Sequence, residues 1–137
     1  MSTFLDTNVV VYAFDRADPE KRDTAIAILE GGHRLVVSTQ VLLETWWVLT
    51  RRLPEPLSED QASAVIDTLT ELPVVNTDPD LVQQAIRTSR QSGMAIWDAM
   101  IVEAARSAGC RRVLSEDLQD GQDHDGVVIE NPFARGS

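Results

Sequence analysis

The sequence is short of the residues that mark several common protein classes. It has one cysteine, Cys110, so no disulfide can form within the chain and no cysteine-rich zinc site can be built. Its two histidines, His33 and His124, are too few and too scattered for a histidine zinc site. Lysine occurs once, as Lys21. The longest apolar run is Val9 to Phe14, far short of the ~20 residues that cross a bilayer. The opening, Met1 to Asp6, has no basic stretch leading into an apolar one, so no secretory signal is expected. Positive charge is scarce as well: 12 bases against 22 acids leave a formal charge of −10. Wide grips on duplex nucleic acid depend on neutralising phosphates, which disfavours that class here. A compact metal-dependent site acting on nucleic acid stays open, as does a basic partner protein. The expectation is a soluble, cytoplasmic protein that does not cross a membrane.

What the chain does have is length and pattern. At 137 residues and 43% hydrophobic it is expected to form one domain, 1–137, without linkers or repeats. Short apolar runs alternate with helical patterns. Thr3–Leu5, Leu35–Val37, Val74–Val75, Arg112–Ser115 and Gly126–Ile129 read as strands. Asp6-Thr7 can cap a helix through Phe14, weakened by its β-branched residues. Asp18-Pro19 and Asp78-Pro79 are helix starts with proline in the first turn. Ser38 caps a helix to about Arg52, and Ser58 opens another with Gln61 at capping-box spacing. A last helix spans about Trp97 to Ala108. Strands alternating with helices predict a parallel sheet covered on both faces, with ligands beyond the carboxyl ends of its strands.

Four carboxylates fall where that architecture brings them together. Asp6 follows the first strand and Asp117 closely follows the fourth. Glu44 lies in the helix after strand two, in a stretch that is apolar nearly all round, with no base three or four residues away. Asp98 opens the last helix. Each has an ordinary explanation: Asp6 as a helix cap, Asp98 as a first-turn acid, Asp117 as a solvated loop residue. Glu44 is harder to explain away, because buried acids need partners. A cluster of four bare anions is untenable; it takes up protons or binds divalent cations. All-oxygen donor sets suit Mg²⁺ or Mn²⁺, and such sites hydrolyse phosphodiesters.

The segment Phe4-Leu5-Asp6-Thr7-Asn8 resembles the opening of the PIN-domain nucleases. Glu44 in Ser38–Glu44 is similar to that family's second acid. Ile96–Ala105 resembles the helix with the third acid, and Leu114–Leu118 the strand end with the fourth. The tail Gly126–Phe133 also resembles the family's ending. The compact size is similar to the VapC-type toxins of toxin–antitoxin pairs. The resemblance implies a three-layer α/β/α sandwich with a central, mainly parallel sheet, and a Mg²⁺-dependent endoribonuclease in which Mn²⁺ can substitute. It implies Asp6 and Asp98 as metal ligands. Glu44 and Asp117 complete the catalytic pocket, as ligands or through waters. Asn8 stands behind them or against substrate, unless it is only a helix-start residue, and Ser115 orients the loop of Asp117. It also implies an RNA substrate, a cognate antitoxin and a homodimer.

Other readings stay open. Glu116 and Asp120 are loop acids that are candidates for a place in the site. Arg51, Arg52, Arg87, Arg90, Arg111 and Arg112 are candidates for RNA contact or plain surface. A haloacid-dehalogenase-like phosphatase also places Asp after strand one, but its second aspartate is replaced here by Asn8. A non-catalytic PIN or receiver-like module is the other alternative. Trp46 and Trp47 are ~100° apart on their helix and cannot share a face. With Ala62, Val65, Ile66, Leu69 and Leu72 on the following helix, they predict an apolar groove for a partner.

Overall fold

A computed structural model describes residues 2–134. The chain runs β1 (Ser2–Leu5), α1 (Thr7–Tyr12), α2 (Pro19–Glu30), β2 (Arg34–Ser38), α3 (Thr39–Arg51), α4 (Glu59–Leu69), β3 (Val74–Val75), α5 (Pro79–Ser92), α6 (Ile96–Ser107), β4 (Arg112–Leu114), β5 (Asp123–His124) and β6 (Val127–Glu130). The strands form one sheet in the order β3-β2-β1-β4-β6-β5. All pairings are parallel except β5 with β6. This is the expected three-layer α/β/α sandwich.

The local signals explain where the helices begin. Asp18 accepts from the Lys21 amide and Asp78 from the Leu81 amide, each just ahead of a proline that presets the helical φ. Ser58 and Gln61 form a reciprocal capping box. Gly93 closes α5 at φ 76°, a left-handed conformation that favours glycine. The two central strands, β1 and β4, contribute fully buried Phe4, Leu5 and Val113, packed with Val9, Val10, Val37, Val102 and Ile129.

Two details depart from expectation. The first helix stops at Tyr12 rather than Phe14, after which the chain continues in turns. The sheet also has an extra edge strand, so the expected fifth strand is β6. Asp125 and Gly126 take φ of 51° and 96° and reverse the chain in two residues. Asp-Gly is the pair that such a tight hairpin demands. Among the described residues, no helix is long and apolar enough to cross a membrane.

The topology has one switch point. From β1 the chain steps outward through β2 and β3, then returns to the other side of β1 to lay down β4 and β6. The switch point lies at the carboxyl ends of β1 and β4, the place where such sheets bind ligands. There the Asp6 amide donates to the Leu114 carbonyl at 3.0 Å, tying the two strand ends together.

Candidate active site

Asp6 is both a helix cap and the buried centre of the site. One carboxylate oxygen accepts from the Thr7 amide at 2.7 Å; the other accepts from the Ser115 hydroxyl at 2.7 Å. Burial pushes its carboxyl up to about 6, against the pull of those two hydrogen bonds, and the charges of Glu44 and Asp117 push the same way. Ser115 is itself fully buried, and its oxygen accepts from the amides of Asp117 and Leu118 at 3.2 Å each. One hydroxyl therefore orients Asp6 and turns the loop that carries Asp117.

Glu44 corrects the sequence reading in one respect. It is half-buried rather than enclosed by apolar neighbours, because the buried side of α3 is Val41, Thr45 and Leu49. Positions 40, 43, 44 and 47 share the opposite side, where Leu43 is 73% exposed and Trp47 is 51% exposed. Its partners are neutral donors: the Gln40 amide at 2.7 Å and the Thr7 hydroxyl at 3.2 Å. Gln40 also reaches the Trp97 carbonyl at 3.5 Å, linking α3 to the first turn of α6. Asp98 stands in that turn, half-buried, its carboxyl raised by burial and then by the charges of Asp117 and Glu44. Asp117 is exposed and held through its backbone. Asp6 and Asp98, from two distant segments, thus each feel the charges of Glu44 and Asp117, from two others.

Other expected residues take clear places. The Asn8 side-chain oxygen accepts from the Glu116 amide at 3.0 Å, while its buried Nδ2 has no hydrogen-bond partner. Asp120 accepts from the Asn131 amide at 2.8 Å and serves the loop. Arg112 is committed to Thr3 and Glu130 inside the fold. Arg51 stacks on the exposed Trp47 ring, 4.9 Å from its centroid. Trp46 packs inward beside Leu49 while Trp47 faces out, as their spacing requires. Sequence reasoning missed Thr7 and Gln40 as orienting residues for Glu44; Gln40, one helical turn before it, was the available signal. It also missed Tyr12 and Lys21, whose side chains bind the Glu116 carboxylate.

The donor set fits a hard divalent cation. All four groups are carboxylates, and among the described residues no Lys, Arg or His forms an ion pair with any of them. The repulsion that Glu44 and Asp117 exert on Asp6 and Asp98 is what a cation would relieve. Among the described residues, no three such groups are close enough to enclose an ion outright. Mg²⁺ does not require such enclosure, since it keeps several waters and takes only one or two protein carboxylates directly.

A mainly parallel sandwich with acids gathered at the switch point of its sheet defines an acid-centred α/β domain. Residues 3–119 match the PIN domain model, and the chain belongs to the PIN-domain family, the nuclease class its motifs resemble. No curated protein sequence matches it. Solved structures share the fold. VapC20 of Mycobacterium tuberculosis, described as a toxin that cleaves the sarcin–ricin loop, is 23% identical with a TM-score of 0.68, over 84% of this chain and 89% of that one. A toxin–antitoxin complex from Klebsiella pneumoniae has a chain 16% identical with a TM-score of 0.72, over 96% and 98% of the two chains. VapBC2 of Rickettsia felis, bound to promoter DNA, gives 18% identity and a TM-score of 0.66 over 96% and 98%.

Proposed function

We propose that the chain, read as one nuclease domain over 1–137, is a Mg²⁺-dependent endoribonuclease and the toxin of a toxin–antitoxin pair. The observation that carries this reading is the set of four coupled acids, without a paired base, at the switch point of a PIN fold. Asp6 and Asp98 are the principal metal ligands; Glu44 and Asp117 complete the set directly or through waters. Mg²⁺, or Mn²⁺ in its place, supplies a water nucleophile at neutral pH and charge stabilisation at the phosphoryl oxygens. Ser115 and Thr7 fix the two oxygens of Asp6, and Gln40 and Thr7 fix those of Glu44. Asn8 holds the Asp117 loop through the Glu116 amide.

Unpaired RNA is the substrate this surface favours. A net charge of −10 resists a broad grip on a duplex, whereas an exposed single strand can present one phosphate to a small acidic site. VapC20, a toxin with the same fold, cleaves the sarcin–ricin loop, which supports the choice of RNA. The phosphatase alternative loses ground because the sole lysine, Lys21, is bound to Glu116 rather than to the four acids.

Two surfaces support partners. A cavity of about 410 Å³ lies between α1, α2 and α4, lined by Val10, Phe14, Leu29, Val65, Leu69 and Leu72. It suits an apolar antitoxin segment, with an antitoxin arginine reaching the carboxylates in place of metal. The exposed Leu43 and Trp47 of α3 and Val82 and Ile86 of α5 give a second copy of the chain a surface to cover. The test of the central reading is cleavage of a single-stranded RNA by the purified chain in Mg²⁺ or Mn²⁺. The expected result is cleavage that stops in chelator; activity persisting in excess EDTA overturns the metal mechanism.

A further inference from the structure

We propose that Lys21 is a positioning residue for Asp117, acting through Glu116; the inference rests on the nuclease reading above. Asp117 is exposed and follows β4 in a stretch without regular structure. An unrestrained carboxylate there loses conformational freedom on taking up a ligand, which weakens binding. The residue before it removes that freedom. Glu116 is fastened at both ends: its amide donates to Asn8, one carboxylate oxygen accepts from the Tyr12 hydroxyl at 2.6 Å, and the other accepts from the Lys21 ammonium.

Lys21 is well placed to act as the anchor. Its backbone amide is bound by the Asp18 cap, which holds its Cα in the first turn of α2. Its ammonium also donates to the Tyr12 hydroxyl at 3.2 Å. It lies 4.8 Å from the centroid of the Tyr12 ring and 5.9 Å from that of Phe133. Those two rings meet edge to face at 4.9 Å. Thus α1, α2 and the segment after β6 all converge on the residue that precedes Asp117.

The arrangement separates two neighbouring acids chemically. Glu116 has both oxygens engaged and its charge balanced, so it is not available as a metal ligand. Asp117 has no ion pair among the described residues. Freed from Lys21, Glu116 loses one of its fastenings and the loop that carries Asp117 regains its freedom. An ordinary half-exposed ion pair would be worth little and would leave metal binding untouched.

The test compares Mn²⁺ affinity of the wild-type chain with that of Lys21→Met, Glu116→Gln and Lys21→Arg, by titration calorimetry without RNA. Cleavage against Mn²⁺ concentration is measured beside it. The expected result is about a tenfold loss of Mn²⁺ affinity in Lys21→Met and Glu116→Gln, the scale of losses when a group behind a ligand is removed, with cleavage recovering at saturating metal. Lys21→Arg, which keeps the charge, should restore most of the affinity. If Lys21→Met fails to fold, Glu116→Gln carries the same comparison. Unchanged affinity in a folded Lys21→Met or Glu116→Gln variant overturns the proposal while leaving the nuclease reading intact. A wild-type chain that neither binds Mn²⁺ nor cleaves RNA overturns that reading, and this proposal with it.

Discussion

Asp6 and Asp117 hang from the same hydroxyl, that of Ser115, and are otherwise opposites. Asp6 is 8% exposed, both of its oxygens are occupied, and burial makes its charge costly. Asp117 is exposed, and tethers to its own backbone and to Glu116 hold it in place. One acid is fixed by being inside the fold, the other by being tied down on its surface. The lesson is that two carboxylates in one cluster carry different vulnerabilities. The buried acid responds to pH and to the removal of its charge, and the surface acid to the loss of its tethers.

The sharpest break in the comparison is Asp6→Asn. RNA cleavage should fall by about a thousandfold, equivalent to roughly 4 kcal/mol of transition-state stabilisation. The metal-free fold should be retained or gain stability, because a shift from 3.8 to about 6 represents a penalty of about 3 kcal/mol for the buried charge. Asp98→Asn should abolish cleavage with a smaller stability change. Parallel cleavage assays and thermal melts decide it; a mutant that unfolds means that the carboxylate's bond to Ser115 outweighs the cost of its buried charge.

The same shift sets a pH window. Asp6 is protonated more readily in the folded chain than in the unfolded one. Its penalty is therefore absent below 3.8 and complete above about 6. Metal-free wild type should lose this part of its stability as pH rises through that window, and Asp6→Asn should not. Denaturant melts at several pH values give the difference, and parallel curves for the two proteins would remove Asp6 as its source.

Ser115→Ala cuts the shared hydroxyl. It leaves Asp6 short of one donor and two loop amides short of their acceptor, a loss of about 1–3 kcal/mol. Both acids should suffer: the melting temperature falls and metal dependence weakens. A variant with wild-type stability and metal response would mean that Asp6 and Asp117 are positioned independently of each other.

The smallest effect concerns Glu44. Added Mg²⁺ or Mn²⁺ should raise the melting temperature of the wild type, since a ligand selective for the folded state stabilises it. Glu44→Ala should gain less. Equal shifts would take Glu44 out of the metal set.

Much of this was legible in the sequence because it is local. The Asp-Pro starts of α2 and α5, the Ser58–Gln61 box and the alternation of apolar runs with helices are signals within a few residues. Three of the candidate acids could be assigned to the ends of elements, Asp6 and Asp117 after strands and Asp98 in the first turn of a helix, whereas Glu44, inside α3, stood out by its apolar neighbours in sequence. The exposure of Glu44 was not legible, since the stretch around it is apolar nearly all round and only the packing of α3 turns the side with Leu43 and Trp47 outward. Nor was the Lys21–Glu116 pair, which spans 95 residues and has no local trace. The Asp125-Gly126 pair is itself a local hairpin signal, but the residues before it carry no strand pattern that would announce β5.

The bond between Asp6 and Ser115 spans 109 residues of chain. Synthesis delivers Asp6 near the start, at ~5–20 residues per second, long before β4 exists to meet it. Throughout that interval the emerging polypeptide has acids but no pairing of β1 with β4 to gather them. The centre sheet pairing that joins them is non-local and parallel, a step that closes late and slowly. The gathering of these acids at one end of the sheet therefore waits on the pairing of β1 with β4 and comes almost with the finished molecule.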